Sequence, residues 1–261
     1  MSELRVTLVQ TSLFWHDARA NRRHFAAVID GLTAATDVVV LPEMFASGFS
    51  MAPHRCAETM DGATIGWMRE IAAKHNIAVC GSLAIGEDGS FFNRFVFMPP
   101  DGAHQCYDKR HLYAQAGEDS AYKSGSERIV IRYRGWRICP MICYDLRFPA
   151  WCRHSGGIDL LVFVASWPDA RRQHWRSLLR ARAIENQCYV VGVNRVGDDA
   201  NGYKYVGDSA VYEYSGERVV ELESEPRIAT VTLDYMAQAA YRRRLPFLQD
   251  ADEFAFIHTK K

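Results

Sequence analysis

Trp136-Arg137-Ile138-Cys139-Pro140-Met141-Ile142-Cys143-Tyr144-Asp145-Leu146-Arg147-Phe148-Pro149 reads as an apolar strand that runs straight into a cysteine and then into a helix start. Asp145 can cap that helix, and Pro149 is tolerated only near its first turn. Strand, tight turn and helix put Cys143 on an elbow of the chain. Free backbone N–H groups at the helix start would favour a thiolate or an oxyanion there. This is the geometry of a nucleophile elbow, with sulfur in place of oxygen. An isolated cysteine is usually a buried hydrophobe, so the elbow matters only if other reactive groups converge on it.

Outward from the elbow, strands and helices alternate. Residues 6–9 and the run Asp37-Val38-Val39-Val40-Leu41 read as short buried strands, with a helix between them over 17–35, capped by Asp17 or Asn21. A second helix is expected over 63–75 and a second buried strand over 77–83. Strands joined by short turns follow at 92–98, 105–108, 129–133 and 136–142. Another buried strand spans 160–164, an Arg-rich helix 169–186 and a strand 189–193. A hairpin around Ser215-Gly216 and a strand over 228–233 complete the set. The pattern is that of a mixed α/β layered domain with helices covering sheet faces. No linker divides the chain, so residues 1–245 are expected to form one domain, with 246–261 as a tail that packs on this subunit or on a partner.

Composition narrows the function. Lys plus Arg is 31 and Asp plus Glu is 31, so the formal net charge is zero. That gives no electrostatic case for nucleic acid or an anionic membrane surface. No stretch approaches the ~20 apolar residues of a membrane span. The start, Met1-Ser2-Glu3-Leu4-Arg5-Val6, lacks the basic and apolar regions of a signal peptide. The seven cysteines are odd in number and fit a reducing compartment better than a disulfide framework. A cytoplasmic location is therefore expected.

Two more reactive side chains stand at strand ends. In Leu41-Pro42-Glu43, proline fixes the backbone and aims the acid out of the sheet layer, where ligand sites form in open α/β sheets. In Tyr107-Asp108-Lys109-Arg110-His111-Leu112, a lysine precedes a long irregular stretch, 112–125, that carries Glu118. Long loops are often functional, and Glu118 could hold or neutralise the lysine. Taken singly, a loop acid and a lysine after a strand are usually solvated surface groups. There is no Gly-x-Ser-x-Gly, P-loop, dinucleotide fingerprint, Cys-x-x-Cys or His-Glu-x-x-His.

Glu43, Lys109 and Cys143, in this order and in these contexts, resemble the nitrilase superfamily of carbon–nitrogen hydrolases. The motifs are Leu-Pro-Glu-Met-Phe around Glu43, Tyr-Asp-Lys-Arg-His-Leu around Lys109 and Cys-Tyr-Asp-Leu-Arg-Phe-Pro from Cys143. The resemblance spans about residues 5–236. It implies an α/β fold of four α-β-β-α layers in a single domain, assembled as a homodimer or larger homo-oligomer. It also implies that Glu118 matches a further glutamate beside the lysine. Ser47-Gly48-Phe49-Ser50-Met51, Ala165-Ser166-Trp167-Pro168 and Asn194-Arg195-Val196-Gly197 resemble the bacterial ω-amidase (2-oxoglutaramate amidase) branch. Ala150 and the tail residues Leu245-Pro246-Phe247-Leu248 depart from that branch's pattern, away from the trio.

The chemistry expected is cysteine-dependent hydrolysis of a small carboxamide, without metal or organic cofactor. Glu43 would be general base, Cys143 nucleophile, and Lys109 with the Tyr144 backbone N–H the oxyanion donors. Phe45, Phe49, Met51, Tyr144 and Trp167 are expected to wall the pocket. Arg147, or an arginine of the 169–186 helix, would hold a substrate carboxylate. Competing readings are a deaminated-glutathione amidase or N-carbamoyl-amine hydrolase with the same trio, a zinc hydrolase using Cys106, His111, Cys143 and His174, and an idle interaction module.

Overall fold

The computed structural model describes residues 3–153 and 157–256; the first two residues of the N-terminal run and the last five of the tail lie outside it. In chain order the elements are β1 (Glu3–Gln10), α1 (Ala18–Asp30), β2 (Val38–Val40), α2 (Ala63–His75), β3 (Ala78–Glu87), β4 (Ser90–Met98), β5 (Gln105–Asp108), α3 (Glu118–Ala121), β6 (Ile131–Tyr133) and β7 (Trp136–Ile142). There follow α4 (Pro149–Cys152), β8 (Leu160–Ala165), α5 (Arg172–Asn186), β9 (Tyr189–Asn194), β10 (Val196–Asp198), β11 (Lys204–Val206), β12 (Ala210–Tyr212), β13 (Arg218–Glu221), β14 (Arg227–Asp234) and α6 (Tyr235–Arg244).

Two six-stranded mixed sheets carry the fold, ordered β14-β1-β2-β3-β4-β5 and β13-β12-β9-β8-β7-β6. β1, β2 and β3 are parallel, as are β7, β8 and β9. The period-two alternation of strands sorts the first sheet's side chains. Leu4, Val6, Leu8, Val38, Val40, Phe95 and Phe97 face the second sheet and share one core with Ile138, Met141, Leu161 and Phe163. Val9, Val39, Val79, Val96 and Met98 face the other way, onto Phe25 and Ile29 of α1 and Ile65 and Met68 of α2. Trp175, Leu179 and Ala183 of α5 cover the outer face of the second sheet. The result is the expected α-β-β-α layering. Among the described residues no helix is long and apolar enough to cross a membrane.

The elements differ from the sequence expectation at a few places, each with a local cause. Asp17, not Asn21, caps α1, accepting from the Ala20 N–H at 2.8 Å. Asn21 is buried and bonds the Phe14 backbone and the Ala46 carbonyl instead. After Cys143 the chain forms only a five-residue 3-10 turn, Cys143–Arg147, before α4 begins at Pro149. The residue before a proline is disfavoured in the helical region, and Phe148 sits at φ −112°, ψ 89°. Short β10 and β11 pair as a hairpin through Asn201-Gly202, and α6 follows β14; neither element was expected. The described part of the tail packs on its own chain, with Phe256 against Trp151 at 5.1 Å.

Candidate active site

Strands of both sheets end at one place. Glu43 follows β2, Lys109 follows β5, Cys143 follows β7 and Ser166 follows β8. Glu43, Lys109 and Glu118 are each 0% exposed. Lys109 Nζ donates to Glu43 Oε1 at 2.9 Å and to Glu118 Oε1 and Oε2 at 2.9 and 2.8 Å. The Ser166 N–H donates to Glu43 Oε2 at 2.8 Å and also faces the Cys143 sulfur. Asn93 Nδ2 bridges the two acids, at 2.8 Å to Glu43 and 3.0 Å to Glu118. The three acid–base groups that the sequence singled out thus converge beside Cys143.

Charge explains their protonation. Burial works against the Lys109 ammonium, but the Glu118 and Glu43 carboxylates outweigh it and hold the pKa above the ordinary lysine value. One ammonium cannot neutralise two buried carboxylates. Glu118 carries the shortfall: burial raises its pKa, Lys109 pulls it back and Glu43 pushes it up again. The Cys143 thiol is pushed well above its usual range by burial first and by Glu43 second, against the pull of Lys109. The resting Cys143 side chain is therefore held as a thiol rather than as a standing thiolate.

Cys143 sits at φ 43° and Met44, next to Glu43, at φ 45°. Left-handed backbone at a non-glycine residue costs about 1–2 kcal/mol and persists only where the surroundings enforce it. At the elbow the enforcing group is Asp145. Its carboxylate accepts from the Ile142 N–H (3.0 Å), Tyr107 Oη (2.7 Å), the His111 N–H (3.0 Å) and His111 Nδ1 (2.8 Å). Asp145 does not cap the following helix as expected, since α4 starts after Phe148 with no side-chain cap; it lies inside the 3-10 turn, bonds back to the Ile142 N–H and ties the Cys143 segment to the Lys109 segment. At Glu43 the segment is fixed to β3, with Met44 N–H on Ser82 Oγ (2.9 Å) and Phe45 N–H on the Ser82 carbonyl (3.1 Å).

That register corrects two pocket residues. Phe45 does not wall the cavity; it lies on the helix side, edge-on to Phe25 at 5.6 Å, with its ring over Gly81. Met51 also misses the cavity and backs onto the cluster of Met44, Phe49 and Tyr122. A Cβ on Gly81 would stand 2.8 Å from Phe45 Cδ1 and 3.0 Å from Leu41 Cβ. Gly81→Ala is expected to destabilise the protein by about 1–3 kcal/mol through overpacking, read as a lower urea midpoint.

Phe49, Arg147 and Trp167 do line the cavity. Lys109 and Cys143 form its floor, and Tyr144 lies beside them. Being second in the 3-10 turn, the Tyr144 N–H has no carbonyl partner within that turn. Sequence reading missed Tyr113, Tyr203 and Tyr205 on the walls; Arg171, one of the arginines expected in the 169–186 helix, stands there too. It also missed that Asn194 clamps Trp167, accepting from its N–H at 2.8 Å and donating to its carbonyl at 3.0 Å. Among the described residues no group of three or more His, Cys, Asp or Glu is arranged to hold a metal ion. Cys106, His111, Cys143 and His174 accordingly form no such cluster.

A family model for carbon-nitrogen hydrolases matches residues 5–242. This chain belongs to that family. The carbon-nitrogen hydrolase is 45% identical to omega-amidase YafV of Yersinia enterocolitica, over 98% of this chain and 100% of that one. It is 32% identical to the 2-oxoglutaramate amidase of Bacillus subtilis, over 82% and 84%. Among solved structures it resembles XC1258 of Xanthomonas campestris, described as a CN-hydrolase superfamily protein with an arsenic adduct in the active site. That likeness has 44% identity and a TM-score of 0.95, over 98% of this chain and 100% of the other. The four-layer architecture read from the strand order is therefore that of the family.

Proposed function

We propose that this carbon-nitrogen hydrolase cleaves the ω-amide of a small 2-oxo acid, such as 2-oxoglutaramate or 2-oxosuccinamate, to carboxylate and ammonia through a thioester on Cys143. The observation that carries the reading is the buried Glu43–Lys109–Glu118 set beside a protonated cysteine on a strained elbow. The names of the Yersinia and Bacillus relatives support the substrate class.

Glu43 takes the Cys143 proton as sulfur attacks the amide carbon, so that a carbon–sulfur bond forms and the carbonyl oxygen becomes an oxyanion. One forked N–H of Lys109 can serve both Glu118 oxygens, which leaves a third for the oxyanion beside the Tyr144 N–H. Glu43 returns its proton to the departing nitrogen, the carbon–nitrogen bond breaks and ammonia leaves. Glu43 then takes a proton from water as its oxygen attacks the thioester carbon; the carbon–sulfur bond breaks, the carboxylic acid leaves and Glu43 returns the proton to the Cys143 sulfur. The carboxylate of Glu118 fixes Lys109 opposite Glu43.

Ammonia release from 2-oxoglutaramate, run beside L-glutamine and a simple nitrile, tests the reading. Fast turnover of the keto-amide alone is expected. Preferred turnover of a nitrile, an N-carbamoyl amine or deaminated glutathione would overturn the substrate assignment and keep the trio.

A further inference from the structure

A carboxylate oxygen has two lone pairs and so accepts two hydrogen bonds. Both oxygens of Glu118 are filled. Oε1 takes Lys109 Nζ at 2.9 Å and Asn93 Nδ2 at 3.0 Å, and Oε2 takes Lys109 Nζ at 2.8 Å and the Tyr113 N–H at 2.6 Å. Glu43 Oε1 is filled too, by Lys109 Nζ at 2.9 Å and Asn93 Nδ2 at 2.8 Å. Glu43 Oε2 takes one donor among the described residues, the Ser166 N–H at 2.8 Å. The two acids therefore keep one open acceptor position, on the oxygen whose donor also faces the Cys143 sulfur.

Asn93 fills the last position on the two oxygens that share Lys109 with it. It stands in β4 opposite Ala84 of β3 and is fully buried, and its own carbonyl accepts from the Lys109 N–H at 2.9 Å. Its amide stands one way round, because Nδ2 faces two carboxylates that only accept. Oδ1 is buried with no hydrogen-bond partner among the described residues. An unmade hydrogen bond at a buried acceptor opposes folding, so what the side chain contributes here is its two N–H groups.

We infer that Asn93 is a positioning residue that routes the Cys143 proton onto Oε2 of Glu43 and stops the two acids from sharing it; this rests on the Glu43–Cys143 chemistry proposed above. Two carboxylates that bond one amide nitrogen are near enough to hold a proton jointly, which relieves their repulsion. The oxygens that would hold it are Glu43 Oε1 and Glu118 Oε1, since both reach the same Lys109 and Asn93 nitrogens. Lys109 alone does not close them, because one of its N–H groups is needed for the oxyanion. With both closed by Asn93, a proton leaving Cys143 Sγ meets one acceptor, Glu43 Oε2, and is held there for the departing nitrogen.

The test measures kcat and KM for 2-oxoglutaramate, and the rate at which iodoacetamide alkylates Cys143, followed by mass at the Cys143 peptide, in wild type, Glu43→Gln, Asn93→Leu and Asn93→Ser. Leucine keeps the volume and removes both donors; serine keeps one. Alkylation, like turnover, begins with transfer of the sulfur proton to Glu43, so the two readouts should fall together. Asn93→Leu is expected to lose about 10²-fold in kcat and a similar factor in alkylation, with KM within about three-fold of wild type. Asn93→Ser should regain about ten-fold of each. A kcat for Asn93→Leu within about three-fold of wild type, or a lower kcat with alkylation at the wild-type rate, would overturn the routing. If Asn93→Leu does not fold, Asn93→Ser decides: parallel losses of about ten-fold in kcat and alkylation support the routing, and unchanged rates or a change in KM alone overturn it. Glu43→Gln separates the two readings. Wild-type Cys143 alkylated no faster than in Glu43→Gln would remove Glu43 as the base, and with it the chemistry proposed above. Slow alkylation in Glu43→Gln beside wild-type rates in both Asn93 variants would leave that chemistry standing and overturn the role of Asn93 alone.

Discussion

Cys143→Ala is expected to lower amide turnover by at least about 10⁴-fold, with the fold retained. A carboxamide is a poor electrophile, and the walls offer no second thiol: the other described cysteines do not line the cavity. Because the thiol is held protonated by burial and by Glu43, attack depends on Glu43 accepting its proton. Glu43→Gln keeps the contour of the side chain but cannot take that proton, so a loss of similar size is expected. The double variant should be hardly worse than either single one, because groups that act as a unit do not add. Stability should move differently. Alanine keeps the left-handed strain at φ 43°, whereas glycine adopts that backbone freely. Cys143→Gly should be inactive and more stable than Cys143→Ala by about 1 kcal/mol in urea unfolding. Near-wild-type ammonia release by Cys143→Ala would refute the nucleophile.

The contrast between Cys143 and Asn93 explains what a sequence reveals here. Cys143, Glu43 and Lys109 each stand directly after an apolar strand, so local pattern alone locates them. Asn93 acts across two elements and has no motif. Its one signal is register, because it shares a strand face with Phe95 and Phe97, and that face is otherwise apolar core. A polar residue on a buried strand face needs partners, and its partners are Glu43 and Glu118. Phe45 was misplaced for a related reason. The left-handed turn at Met44 breaks the alternation and sends Phe45 to the helix side. Such turns are signalled in sequence by glycine or asparagine, and neither stands at Met44 or Cys143. The backbone departs from its local rules beside the proposed chemistry, where surrounding bonds to Ser82 and Asp145 hold the strain. Tyr205 stays hidden because β10 and β11 are three residues each, too short to show a period, and Tyr203 lies just before β11, after the Asn201-Gly202 turn.

Lys109→Met is expected to cost both catalysis and folding, with a pH signature that separates the two. Losing one oxyanion donor lowers turnover by ~10²–10³-fold. Removing the one cation also leaves Glu43 and Glu118 buried together, sharing the Asn93 amide as their link. Breaking a buried charge set in this way costs about 3–5 kcal/mol. The sign of the pH dependence follows from the direction of each shift. Lys109 has a raised pKa, so its contribution is fully present below the ordinary lysine value and would be lost only as pH rises past the folded one. At neutral pH the wild type keeps all of it. Glu118 is a carboxyl with a raised pKa, and in the variant the restraining pull of Lys109 is gone. Between its unfolded and folded pKa values the folded state holds a proton that the unfolded state has released. Stability then falls as pH rises through that window, which opens at the ordinary carboxyl value and extends upward. The deficit of Lys109→Met against wild type should therefore be largest near pH 8 and shrink toward pH 5, when measured by urea unfolding. Adding Glu118→Gln removes one of the two stranded charges, so Lys109→Met/Glu118→Gln should recover much of the stability at pH 8 and none of the activity. A deficit independent of pH, with no recovery in the double variant, would mean that lysine packing rather than charge holds the two acids together.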